Sequence, residues 1–175
     1  FQIGLQADTR EASYFAMVSD KTASLISAAC RIGPLLAGAP REMVDALTSY
    51  GESLGQAFQI ADDILDFTGD ESTLGKPVGH DLRERKITLP LIKALATAPD
   101  AERTAIVGVL SDQEPAEEDW DRVFDFVARH DGVSAASATA HEYADRAQSC
   151  LEGLEPSVER SILETAVRLV VERDS

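Results

Sequence analysis

The chain has 175 residues, 44% of them apolar and only 6% aromatic, and its 31 acidic against 16 basic side chains give a formal net charge of −15. That length fits one domain with an aliphatic core, and so large an acidic excess excludes nucleic acid as a partner, because phosphate-backbone binding rests on a basic face. The acidic residues are spread along the chain and read as solvated helix surface, so an anionic ligand would have to be met by metal ions and a few placed lysines.

Cys30 and Cys150 are the only cysteines, far apart in sequence, which leaves no disulfide framework or zinc site and fits a reducing cytoplasm. No apolar run approaches the roughly 20 residues needed to cross a bilayer, so any membrane contact is expected to be peripheral. Phe1 enters without a cap or turn signal, as expected of a chain that starts inside something longer.

In chain order, Tyr14, Val18, Thr22, Leu25, Ala29 and Ile32 recur at steps of three and four and predict one buried helix face. Gly33-Pro34 and Gly38-Ala39-Pro40 are expected to disturb or end that helix. A second long helix follows, with Met43, Leu47, Tyr50, Leu54, Phe58, Ala61 and Leu65 as its buried stripe and Gly69 just past its end. Gly69 to Asp81 is rich in glycine and reads as a specialised loop, a candidate lid. Thr88-Leu89-Pro90 starts another helix, since proline is tolerated in a first turn. Further helices are predicted over Asp100–Leu110, Pro115–His130, Ser134–Leu154 and Pro156–Arg173. No alternating strand pattern occurs, so the fold class is all-α, without repeats or a dividing linker.

The second helix carries the chemistry. Gly55, Gln59, Asp62 and Asp66 step by four, three and four and form one line along it, apart from the apolar stripe. Carboxylates at i and i+4 have Cβ atoms about 5–6 Å apart, close enough to repel each other and to hold a hard divalent cation. Asp63 lies about 100° around the helix and ranks below Asp62 and Asp66 as a metal ligand. Mg²⁺ suits such a site, because it binds through one or two carboxylates plus substrate phosphates, and Lys76 in the loop could neutralise remaining phosphate oxygens. A D-D-x-x-D run alone reads equally well as a solvated helix face. Its neighbours, an amide one turn earlier, Gly55, and a lysine-bearing glycine loop, favour a diphosphate clamp.

Four blocks stand in order: Lys21-Thr22-Ala23; Gly55 to Asp66 with Phe58-Gln59 inside it; Gly75-Lys76-Pro77-Val78-Gly79-His80-Asp81-Leu82; and Lys86-Ile87-Thr88-Leu89-Pro90. In these the chain resembles the trans-isoprenyl diphosphate synthases, the polyprenyl synthetase family, over nearly its whole length. Leu36-Ala37-Gly38-Ala39 and Val171-Glu172-Arg173-Asp174 further resemble the long-chain branch that makes quinone side chains. The resemblance implies a helical bundle of the isoprenoid synthase type, with residues 1–175 as the C-terminal portion of a single domain. It implies a homodimer that condenses an allylic diphosphate with isopentenyl diphosphate. Catalytic roles fall to Lys21, Gln59, Asp62 and Asp66; diphosphate contacts to Lys21, Thr22, Gln59, Lys76 and Lys86; and Mg²⁺ to Asp62, Asp63 and Asp66.

The family's first aspartate-rich motif finds no counterpart in these residues, so half of the metal site is expected to lie upstream, and this segment alone is not expected to catalyse prenyl transfer. The alternative is a non-catalytic regulatory subunit of a heteromeric synthase. A terpene cyclase fits less well, since it usually lacks the Gly75-Lys76 and Lys86-to-Pro90 blocks. His80, His130 and His141 are read as solvated or structural, and Asp81 as orienting the loop.

Overall fold

A computed structural model describes residues 9–69 and 79–172, and among them the regular structure is entirely helical. The predicted lid, including Lys76, lies largely outside the described residues. The elements are α1 (Glu11–Val18), a π-helical segment (Ser19–Ala23), α2 (Ser24–Leu36), α3 (Arg41–Thr68), α4 (His80–Arg83), α5 (Leu89–Thr97), α6 (Asp100–Ser111), α7 (Glu117–Arg129), α8 (Gly132–Cys150) and α9 (Val158–Glu172).

Several boundaries follow from the turn chemistry in the sequence. Thr88 is extended and Pro90 falls in the first turn of α5, where a missing N–H costs no hydrogen bond. Asp119 accepts the N–H of Ala116 at 3.2 Å and closes the start of α7. Of the two segments expected to disturb or end the preceding helix, Gly33-Pro34 does not end it. Pro34 sits inside α2, near enough to the C-terminus that only the last turn has to tolerate the lost donor. The stop comes at Gly38, in the left-handed region at φ +65°, with its N–H on the Leu35 carbonyl at 3.2 Å.

The chain forms two compact units, the first made of residues up to Tyr14 with Asp63–Ala136, the second of Phe15–Asp62 with residues from Ser137 onward. In the first, Leu82, Leu91, Leu95, Ile106, Trp120 and Phe126 belong to one buried cluster, each large side chain contributing about 1.5–3 kcal/mol by leaving water. Trp120, Val123 and Val127, at steps of three and four, turn one side of α7 into it. Outside that cluster Glu11 pairs with Lys93 at 2.7 Å, fixing the start of α1 to α5.

In the second unit Tyr50 packs with Ala144, Ala147, Leu151 and Val167, and Ala57 and Ala61 pack with Val170. The predicted stripe on α3 is displaced: Met43 is exposed, while Val44, Ala57, Ile60 and Ile64 are buried beside the expected Tyr50 and Ala61. From Gly55 onward α3 is buried on most of its circumference, as a central helix must be, and a single-face count underestimates that. The stripe of the first helix holds only at its start. Tyr14 and Val18 are buried, but Leu25 and Ile32 are 73% and 54% exposed. Periodicity marks a face suited to burial, and nothing among the described residues covers this half of it.

Tyr50 is 1% exposed and donates to the Leu163 carbonyl at 3.0 Å, tying α3 to α9. Burial, helped by the Cys30 thiol, pushes its phenol from about 10 up to about 12. The folded state therefore keeps the phenol neutral where the unfolded chain ionises it. Its contribution is fully present below pH 10 and is lost as pH rises from 10 to 12. Tyr50→Phe should cost about 1 kcal/mol at neutral pH and flatten the alkaline fall in stability. Urea midpoints taken at neutral and alkaline pH check both, and an undiminished alkaline slope in the variant would count against this role.

Candidate functional site

Within the second unit, the π-helical segment and the middle of α3 bring four of the predicted residues onto two adjacent elements. A π turn closes i→i+5 bonds, here from Ser24 N–H to the Ser19 carbonyl, and such turns are frequent at functional sites. Thr22, half-buried, donates to Gln59 Oε1 at 2.9 Å. Ser19 donates to Glu52 Oε1 at 2.6 Å. Lys21, in the middle of the segment, is exposed and pairs with no acid among the described residues. Gly55 makes the approach possible: a Cβ there would lie 2.5 Å from Ala23 Cα, a backbone atom with no room to yield. Asp62 follows Gln59 along α3, half-buried, with no hydrogen bond or ion pair among the described residues.

The remaining aspartates of the run belong to the first unit and are engaged differently. Asp63 is 3% exposed and accepts the Tyr14 phenol at 2.6 Å. Asp66 is 1% exposed; its Oδ2 accepts the Asp81 N–H at 3.0 Å, and its backbone carbonyl accepts the Gly79 N–H at 2.8 Å. The expected line Gly55, Gln59, Asp62, Asp66 is thus uneven, with its last member sealed under the returning chain. Gly79 makes that return, at φ +74°, and a Cβ on it would fall 2.1 Å from Phe124 Cζ. No other residue fits both the backbone and the space.

Asp81 holds Lys86 Nζ at 2.7 Å and Glu84 holds it at 2.8 Å. The bond to Asp81, then that to Glu84, raises the ammonium well above the usual lysine range. The bond to Lys86 lowers Glu84 in turn. Asp81 thereby orients the loop's far end, as the sequence suggested, while Lys86 is already occupied. His80 meets Glu84 at 3.2 Å, His130 meets Glu102 at 3.1 Å, and His141 bonds the Ser137 carbonyl at 2.9 Å. Among the described residues no three His, Cys, Asp or Glu side chains converge to hold a metal ion. Lys76 lies outside the described residues.

Sequence reasoning missed Tyr14, the π turn and the anchoring of Gly79 and Asp81 on Asp66. Tyr14 looked like any apolar-face residue, and S-D-K-T-A carries no signal for a π turn. The spacing of thirteen residues between Asp66 and Gly79 could have suggested a closed loop only with the geometry in hand.

The solved structures that this helical arrangement resembles are polyprenyl diphosphate synthases and related enzymes. A decaprenyl diphosphate synthase from Rhodobacter capsulatus superposes with a TM-score of 0.89 at 36% identity, over 99% of this chain and 54% of that one. A polyprenyl synthase from Caulobacter crescentus, complexed with calcium and isoprenyl diphosphate, also gives 0.89, at 33% identity over 99% of this chain and 53% of the other. The chain belongs to the polyprenyl synthetase family, whose model matches residues 2–127. Heptaprenyl diphosphate synthase component 2 of Geobacillus stearothermophilus is 38% identical over 93% of this chain and 49% of its own length. The chain therefore spans about half the length of the relatives it matches.

Two outcomes follow from this geometry. Gly55→Ala should destabilise the protein by about 1–3 kcal/mol, the cost of overpacking a close contact, seen as a lower urea midpoint; an unchanged midpoint would mean that the two elements part easily. Asp66→Ala should speed hydrogen exchange at the Asp81 amide about tenfold while Gly79, bonded to the backbone carbonyl, stays protected. Equal exchange before and after the substitution would remove Asp66 from the loop anchor.

Proposed function

We propose that this chain is part of a prenyltransferase that condenses an allylic diphosphate with isopentenyl diphosphate into a longer trans-polyprenyl diphosphate, for quinone side chains, and that it acts in the cytoplasm. The observation that carries the reading is the polar constellation of the second unit: an unpaired lysine on a π turn, an amide fixed by Thr22, and an unpaired aspartate on the helix that bears the amide.

The residues present fit a divalent cation, Mg²⁺ by preference. Asp62 is a hard oxygen donor with no competing partner among the described residues, and an ion of this kind takes one or two carboxylates and completes its shell with water and substrate phosphates. When bound, Mg²⁺ supplies charge neutralisation for a departing diphosphate. The chain's own residues do the rest. Lys21 offers an ammonium to the same anion. Thr22 spends its proton on Gln59 and so orients the amide, and both are proposed diphosphate contacts on the resemblance. The Phe58 and Ala61 side of α3 is apolar and, with Val170, keeps water from its surroundings. Asp66 holds Gly79 and Asp81 through its backbone carbonyl and Oδ2, and on the resemblance it is proposed as a metal ligand as well. Lys76 and Lys86 are proposed diphosphate contacts on the resemblance alone, and Lys86 would offer an anion the one N–H that Asp81 and Glu84 leave free.

The uncovered apolar face of α2, with Leu25, Ile32 and Leu36, favours packing against further protein, and a homodimer is the assembly we propose. One observation favours a second reading: the Geobacillus stearothermophilus relative is a component of a synthase, so a heteromeric enzyme with this chain in one subunit is the alternative. No helix among the described residues is long and apolar enough to cross a membrane.

Asp62→Asn in the full-length protein should lower turnover on the order of a hundredfold with Mg²⁺ present, measured with labelled isopentenyl diphosphate and an allylic diphosphate. Near-normal turnover would defeat the assignment of Asp62. A wild-type protein that is inactive alone but active with a second subunit would favour the heteromer, and the length of the labelled product fixes the product class.

A further inference from the structure

A run of adjacent aspartates near a proposed metal is easily credited to the metal as a whole, but the burial of these side chains divides it. Asp62 and Asp63 are neighbours on α3 and point about 100° apart. Asp62 is half-buried and has no partner among the described residues. Asp63 is 3% exposed, and its Oδ2 takes the Tyr14 phenol at 2.6 Å. Tyr14 is itself 4% exposed and stands in the first turn of α1. That turn is fixed separately, because Glu11 pairs with Lys93 of α5 at 2.7 Å. The phenol is thus a donor held on a braced support, and a buried carboxylate that accepts such a short bond resists rotation, since breaking it gives up a charge-assisted hydrogen bond in a site closed to water.

We propose that Tyr14 is a positioning residue: through Asp63 it fixes the rotation of α3 at the turn that presents Asp62, so that Asp63 serves the helix and Asp62 serves the ligand. The proposal rests on the metal-binding reading of Asp62 given above. A turn of α3 about its axis by even part of one residue step would carry the Asp62 carboxylate away from its direction. Partners behind a ligand commonly change metal affinity about 10–100-fold when removed, and Tyr14 would act at that remove, one residue along the helix from Asp62. The Asp66 contacts to Gly79 and Asp81 brace the following turn of α3, so the two anchors, Asp63 and Asp66, lie either side of the same short stretch.

The test uses the full-length protein as wild type, Tyr14→Phe, Asp63→Asn, the double variant and Asp62→Asn. Two quantities are read: the thermal midpoint without metal, and the Mg²⁺ concentration that gives half of the stabilisation produced by Mg²⁺ with inorganic diphosphate. The expected result is that Tyr14→Phe and Asp63→Asn each lower the metal-free midpoint and raise the Mg²⁺ requirement about tenfold, and that the double variant is no worse than the more affected single one. Asp62→Asn should abolish the Mg²⁺ effect and leave the metal-free midpoint close to wild type. The proposal is overturned if Asp63→Asn matches Asp62→Asn while Tyr14→Phe leaves the Mg²⁺ requirement unchanged, which would make Asp63 a ligand. Additive effects in the double variant also overturn it, because the two groups would then act independently. If wild type shows no stabilisation by Mg²⁺ and diphosphate, the metal-binding reading fails and this positioning role fails with it; the metal-free midpoints then report only whether the Tyr14–Asp63 bond is coupled.

Discussion

A helix advances 100° per residue, and everything at this site depends on how α3 meets that constraint. Three carboxylates in a D-D-x-x-D run cannot all share one direction: Asp62 and Asp66 lie about 40° apart and Asp63 about 100° from Asp62, and their environments differ. Asp63 finds Tyr14, Asp66 finds the amide of Asp81, and Asp62 is left half-buried without a partner among the described residues. The magnitudes explain why the first two are fixed. A hydrogen bond to a buried charge is worth about 1.5–3 kcal/mol and leaving it unmade costs more, whereas an exposed i,i+4 pair such as Arg41–Asp45 is worth about 0.3–0.5 kcal/mol.

The charge balance of the chain bears on the same question. With acidic residues nearly twice as numerous as basic ones, most cations have a carboxylate within reach, and Lys86, Lys93, Arg103 and Arg122 are all so paired. Lys21 is different. It stands on a π turn whose side chains Ser19 and Thr22 are turned onto α3, and it pairs with no acid among the described residues. A cation left unpaired in so acidic a protein keeps all three of its N–H donors for an anion from outside, whereas Lys86 has committed two of its own to carboxylates.

What could be read from the sequence divides along physical lines. The helices were legible because their signals are local: proline in the first turn of α5, the acidic start of α7, the glycine stop after α2. Gln59, Asp62 and Asp66 could be singled out because they cluster on the periodicity of one helix, whereas Lys21, Thr22 and Lys86 came from the family resemblance. What stayed hidden depends on contacts between distant segments. Tyr14 lies 49 positions from Asp63, and its periodicity announces burial without saying what it is buried against. The π turn leaves no mark in composition, because it follows from the fit of the segment onto α3 at Gly55. The long stripes failed for the opposite reason: periodicity assumes one covered face, while α3 is enclosed on most sides and the outer half of α2 is left uncovered.

The contacts along α3 also show why the polar residues sit where they do. Gly55 lets Ala23 come close, and small apolar surfaces of this kind pack well at several registers. Single polar contacts remove that freedom. Ser27 on the Thr48 carbonyl at 2.9 Å, Ser19 on Glu52 and Thr22 on Gln59 each match at this register, and a slip of one residue would break all three bonds, the one from the buried Ser27 at the greatest cost. Apolar contact supplies most of the stability, and these few bonds select among the packings that it would allow. The residues that set the register are the same ones that hold Gln59 in place and Lys21 outward. In this stretch the requirements of packing and of the proposed ligand binding fall on one set of side chains, so a substitution at Thr22 or Ser19 should be felt in both.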